Sequence, residues 1–196
     1  MMESETWEEI FIINSKEKVT KGGRVIRQRL LLIFMAVLLS AVMALPAWAD
    51  FKAGMKAYKK KDYVTAMREF RSDGKPEANF NIGIMYYKGE GVKQDKKEAA
   101  DWLRKAAELG YGQAQFILSA MNFTGDGIER NILEGVKWIH KAADNGFAEA
   151  QFRLGMMYIN GDNVGKNRGT GVKWVKKASR KGHLNAKKLL KVMGEE

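Results

Sequence analysis

Glu98–Phe116 reads EAADWLRKAAELGYGQAQF, Glu134–Phe152 reads EGVKWIHKAADNGFAEAQF, and Thr170–Lys188 reads TGVKWVKKASRKGHLNAKK. Each stretch begins 36 residues after the one before, with no insertion between them. Ala78, Ala114, Ala150 and Ala186 share that register. So do Phe80, Phe116 and Phe152; Trp102, Trp138 and Trp174; Ala106, Ala142 and Ala178; and Gly110, Gly146 and Gly182. A fixed period of this length marks a stack of small structural units, none of which can bury its apolar face alone.

Each unit reads as two helices. Ala78, Ile82 and Tyr86 recur every four residues and define the core face of a first helix. Gly83, Ser119 and Gly155 sit beside that face, where a missing or small side chain admits a neighbouring helix. Lys88-Gly89 supplies a stop. Asp95 with Glu98, and Asn131 with Glu134, predict capping boxes at the start of a second helix. Its buried stripe is Ala99, Trp102, Leu103, Ala106 and Ala107, and Gly110 ends it. The alanines set close contacts and the tryptophan fills the gap between helices, so Trp102, Trp138 and Trp174 are core positions of the repeat.

The same logic divides the rest of the chain. Residues 76–111, 112–147 and 148–183 are repeats 1, 2 and 3. Residues 50–75 are a degenerate first helix pair, with Ala53, Ala57 and Tyr58 on one helix and Tyr63, Ala66, Met67 and Phe70 on the other. Residues 184–196 carry Ala186, Leu189, Leu190 and Met193 and read as a capping helix.

The N-terminal part has another character. Arg24, Arg27 and Arg29 precede a sixteen-residue apolar run, Leu30–Leu45, interrupted by Ser40; Pro46 and Ala47-Trp48-Ala49 follow. Residues 24–49 thus have the layout of a signal peptide, cleaved before Asp50, which predicts a periplasmic or secreted protein. The alternative is an inner-membrane anchor formed by residues 27–49. Residues 1–23 are a tail of mixed charge without pattern, read as untranslated sequence ahead of a start near Val25.

The quoted units carry A-x-x-x-L-G-x-x-Y-x-x-G-x-G-V followed by D-x-x-x-A-x-x-W-x-x-K-A-A-x-x-G, as in ANFNIGIMYYKGEGVKQDKKEAADWLRKAAELG of repeat 1. Over residues 76–193 this resembles the Sel-one-like repeat family of tetratricopeptide-like solenoids. Ser119 and Asn122 in repeat 2, and Asn163 and Gly165 in repeat 3, depart from the pattern. The resemblance implies an all-α, right-handed solenoid of antiparallel helix pairs. It also implies a non-catalytic scaffold or adaptor role. Some exported, disulfide-rich members are linked to binding or cleaving β-lactams, so a cell-envelope enzyme of that type is the alternative reading. This chain has no cysteine.

Composition narrows the chemistry. The 196 residues suffice for one ordinary domain. The absence of cysteine removes disulfides, thiolate metal sites and cysteine nucleophiles, and two histidines are too few for a histidine-based metal cluster. Ser179 and His183 are four apart, but a glycine separates them and no orienting acid is near in sequence. No catalytic, cofactor-binding or metal-binding residue is expected. The net charge is +11, and residues 163–194 contain ten Lys or Arg and no Asp or Glu.

Two partner surfaces follow. A second apolar stripe on the first helices comprises Phe80, Ile84 and Tyr87; Phe116 and Phe123; and Phe152, Met156 and Ile159. In tetratricopeptide-like folds the equivalent stripe lines a concave groove, here suited to a peptide or helix of another protein. Lys173, Lys176, Lys177, Arg180 and Lys181 form a basic patch suited to an anionic envelope surface. No specific nucleic acid is expected, and oligomeric state is left open.

Overall fold

The computed structural model of the chain describes residues 51–195. The tail 1–23 and the signal or anchor 24–49 lie outside the described residues. Among the described residues the regular structure is entirely helical: α1 (Phe51–Lys59), α2 (Tyr63–Asp73), α3 (Pro76–Lys88), α4 (Lys96–Glu108), α5 (Gly112–Thr124), α6 (Ile132–Asp144), α7 (Ala148–Asn160), α8 (Arg168–Arg180) and α9 (Leu184–Met193). The helices α3 to α8 alternate as first and second helices of three units, and α1–α2 form the shorter pair before them.

The second helices start where a polar side chain takes up free backbone donors. Asp95 Oδ1 accepts from the N–H of Lys97 and Glu98, both at 3.0 Å. Asn131 accepts from Glu134 N at 3.0 Å and Asn167 from Thr170 N at 2.9 Å. The return half of the predicted capping box does not form. The cap's own N–H is already donated to the preceding helix, Asp95 to Tyr86 O at 3.0 Å and Asn131 to Asn122 O at 2.9 Å. Glu98 instead accepts from Trp102 Nε1 at 2.9 Å, and Glu134 pairs with Lys137 at 3.0 Å. Leu109 caps α4, with Gly110 following in the left-handed region.

The core explains why the chain repeats itself. It divides into clusters that each join the second helix of one unit to the first helix of the next. Ala66, Met67 and Phe70 of α2 meet Ala78, Ile82 and Met85 of α3. Leu103, Ala106 and Ala107 of α4 meet Ala114, Leu118 and Met121 of α5. Ile139, Ala142 and Ala143 of α6 meet Ala150, Leu154 and Met157 of α7. Val172, Val175 and Ala178 of α8 meet Ala186 and Leu190 of α9. Apolar area therefore leaves water at the boundary between units. Each tryptophan reaches back across such a boundary: Trp102 packs on the α2/α3 cluster, Trp138 belongs to the α4/α5 cluster, and Trp174 packs on the α6/α7 cluster.

The third core position of the first helix is Met85, fully buried, whereas the expected Tyr86 is half-buried. Positions 78, 82 and 85 follow i, i+4, i+7, which keeps to one face; i+8 drifts to the flank. The small register behaves as expected. A Cβ added at Gly83 would lie 2.9 Å from Leu103 Cγ, and one at Gly155 would lie 2.7 Å from Val175 Cγ2. In α9 that register holds Lys191, whose side chain is exposed.

Candidate partner groove

A groove of about 1010 Å³ runs between α5 and α7, lined by Phe116, Ala120, Phe123, Phe152 and Met156, with Glu149, Arg153 and Asp162 at its rim. Four of the stripe residues thus converge on one space. The others do not line it. Phe80 is buried with its ring 5.1 Å from that of Tyr111, and Ile84 packs against the same cluster. The Tyr87 hydroxyl donates to Asp126 Oδ2 at 2.7 Å. Ile159 lies on Gly171, where an added Cβ would come 2.6 Å from Ile159 Cγ1.

The phenylalanine register is divided because it has a second duty between units. Phe80 meets Tyr111, Phe116 meets Phe147 at 5.5 Å, and Phe152 stacks on His183 at 4.5 Å between ring centroids. Part of each ring serves this contact, a face in the case of Phe152, and only the remaining surface can face a groove. Phe123 is likewise partly committed, because its ring fills the space over Gly135.

The boundary between repeats 2 and 3 lacks a polar clasp that the preceding boundary has. Glu90, Asp126 and Asp162 occupy one register between successive turn residues. Glu90 accepts from the Tyr58 hydroxyl, reaching back one unit. Asp126 accepts from Tyr87 and pairs with Lys96 at 2.6 Å. The hydrogen bonds from Lys96, and then from Tyr87, hold the Asp126 carboxyl below its usual range; the same contacts raise Lys96 and Tyr87. In the next boundary Phe123 and Ile132 stand where Tyr87 and Lys96 were. Asp162 turns to Asn160 Nδ2 at 3.1 Å instead.

The turn itself changes too. Gly127 has φ +77° and lies so close to α4 that an added Cβ would be 2.6 Å from Lys96 O. Asn163 keeps the left-handed φ of +59° but carries an exposed side chain. The register that presses a glycine against Lys96 in repeat 2 therefore presents a side chain to solvent in repeat 3, while Val164 of the same turn still packs on the α6/α7 cluster.

A family model for the Sel1 repeat matches residues 76–111, 112–147 and 148–183. The chain belongs to the Sel1 repeat family. Among solved structures it is similar to a Sel1 repeat protein from Oxalobacter formigenes, at 35% identity and a TM-score of 0.65 over 68% of this chain and 56% of that one. It is also similar to c5321, described as a protective antigen in uropathogenic Escherichia coli strains with an SLR fold. That match has 35% identity and a TM-score of 0.58 over 62% of this chain and 27% of that one. The chain therefore spans little more than half of the first protein and about a quarter of the second. No curated protein matches. Sel1 repeats are generally scaffolds for protein–protein interaction and are typically non-catalytic.

Within the Sel1 units, a lysine three residues after each tryptophan covers its ring: Lys105 over Trp102 at 3.8 Å, Lys141 over Trp138 at 4.3 Å and Lys177 over Trp174 at 3.8 Å. Lys177 of the basic patch is thus engaged in the repeat's own packing. Lys176 pairs with Glu195 at 3.0 Å, while Lys173, Arg180 and Lys181 are exposed. His183 offers no free ring nitrogen: Nδ1 accepts from Ala186 N at 3.1 Å, capping α9, and Nε2 meets Glu149 at 2.8 Å. Among the described residues no cluster of His, Asp and Glu could hold a metal ion.

Sequence reasoning missed the polar stitches of the Sel1 stack. Gln115 donates to Ala107 O at 2.8 Å and Gln151 to Ala143 O at 2.9 Å, both from buried positions. The shared AQF of Ala114–Phe116 and Ala150–Phe152 was the available signal. Asn145 bridges Gly110 O and Gln115 Oε1, a contact spanning a whole unit with no local signature.

Proposed function

We propose that the chain is an exported, non-catalytic adaptor that holds an apolar segment of another protein, as a peptide or helix, in the groove between α5 and α7. The convergence of Phe116, Phe123, Phe152 and Met156 from two units on one space supports this reading. Aromatic and methionine side chains offer apolar area that adapts to its occupant. On this reading the occupant sits against repeats 2 and 3. The segment 24–49 supports export, with cleavage before Asp50 or retention as an anchor, and the basic third repeat supports attraction to an anionic surface.

A photo-reactive amino acid at Phe123 or Met156, introduced in the native cell, tests the groove. The expected result is a discrete crosslinked protein from both positions and none from the exposed Leu133. Equal labelling from all three positions overturns the reading. The mass of the mature chain reports on export: it begins at Asp50 if the signal is cleaved.

A further inference from the structure

The last boundary of the solenoid, between α8 and α9, contains a recess of about 380 Å³ lined by Lys176, Ser179, Arg180, Lys187, Leu190 and Glu195. Its polar residues depart together from the equivalent positions of the preceding units. Ser179 stands where Ala107 and Ala143 are, both buried. Arg180 stands where Glu108 and Asp144 are. Lys187 replaces the buried Gln115 and Gln151, whose amides stitch one helix to the next. Lys176 replaces Arg104 and His140. An alanine has become a hydroxyl, an acid a guanidinium and a neutral amide an ammonium. A helix end needs only exposed polar residues to stop the stack; here the substitutions converge on donors for an oxyanion.

The recess already holds such a group. Residues 163–194 contain no acid. The turn after α9, with Gly194 at φ +67° and Glu195 N donating to Leu190 O at 3.0 Å, folds Glu195 back over the helix. Its Oε2 meets Lys176 Nζ at 3.0 Å, and both side chains stay more than a third exposed. A solvent-exposed ion pair of this kind is weak and readily exchanged.

We propose that this recess is a carboxylate-binding site for an acidic segment of a partner protein, and that Glu195 is its built-in competitor. The occupant in place is a glutamate carboxylate delivered on a turn, which is how an acidic peptide would present one. A concave recess with a single tethered anion fits side-chain recognition better than contact with a flat lipid surface, for which cations must protrude. The site lies on the α8/α9 boundary and does not depend on the groove between α5 and α7.

The test uses the full chain and a fluorescein-labelled hexaglutamate peptide, read by fluorescence anisotropy. Glu195→Gln frees the recess and tightens binding about 2- to 5-fold, the range expected for releasing an exposed ion pair. Lys176→Gln with Lys187→Gln weakens it by at least about 5-fold, while Lys166→Gln with Lys173→Gln, an equal change in net charge, weakens it less than about 2-fold. Unchanged affinity in Glu195→Gln overturns the competitor. Equal losses from the two double variants show generic polyanion binding and overturn the site. A third arm uses phosphatidylglycerol vesicles. If the recess variants lose vesicle binding but keep the peptide, the partner is a membrane and the proposal fails. Far-UV circular dichroism on each variant confirms that the helices are retained.

Discussion

Gly127→Ala and Asn163→Ala change the same register in consecutive units, yet they should differ severalfold in cost. At Gly127 the backbone is left-handed, φ +77°, where an L side chain loses about 1–2 kcal/mol. The new Cβ would also lie 2.6 Å from both Cβ and O of Lys96 and 2.7 Å from its carbonyl carbon. Two of those atoms are backbone at the start of α4, so no rotamer change relieves the contact. Overpacking of this kind costs about 1–3 kcal/mol more, giving a total of about 2–5 kcal/mol. At Asn163 the left-handed backbone already carries a side chain that faces solvent. Alanine there loses only asparagine's tolerance of that conformation, about 1 kcal/mol or less, and Asn163→Gly gains a similar amount. Urea unfolding followed by tryptophan fluorescence measures the difference, with Trp138 reporting from the α4/α5 cluster itself. Equal losses at the two positions would refute the idea that this register is seated on Lys96 in the first turn and faces solvent in the second.

Other outcomes follow from the same contacts. Leu154→Ala, at a fully buried position between α6 and α7, should cost about 2–5 kcal/mol in the same urea assay. Gly155→Ala should cost about 1–3 kcal/mol, because its Cβ would press on Val175 and on Gly171 O at 2.9 Å; a neutral effect would mean the helices do not approach this closely. Asp126 has a folded pKa below the ordinary 3.8. Its contribution is therefore complete above that value and fades as pH falls through the lower folded one. The stability gap between the wild type and Asp126→Asn should be open at pH 7 and shrink below about pH 4, the unperturbed carboxylate range. A gap that is constant down to pH 3 would exclude the clasp.

Much of the architecture was legible because it rests on short-range chemistry repeated in step. Within each 36-residue unit the Asp95 and Asn131 caps and the glycine stops involve groups a few residues apart. The capping box failed at its return half because the N–H of Asp95 is spent on Tyr86 O, a bond made only once the turn has closed. The stripe from Phe80 to Ile159 was legible as apolar and periodic, but not as divided.

Sequence by itself determined the helix pairs, their order, most of the residues that fill the boundaries between them and the basic character of the last repeat. Periodicity and capping encode these directly, since a buried face must recur at helical spacing wherever a unit meets its neighbour. Only the tertiary structure decided which apolar side chains are spent on packing and where the solenoid opens. Tyr87 clasps Asp126 across 39 positions, whereas Phe123 and Ile132 cannot do the same for Asp162 at the boundary that holds the groove. The same holds for Glu195 seated on Lys176. Those pairings depend on how one unit is set against the next, and strictly periodic apolar positions are equally compatible with a boundary that is shut or open.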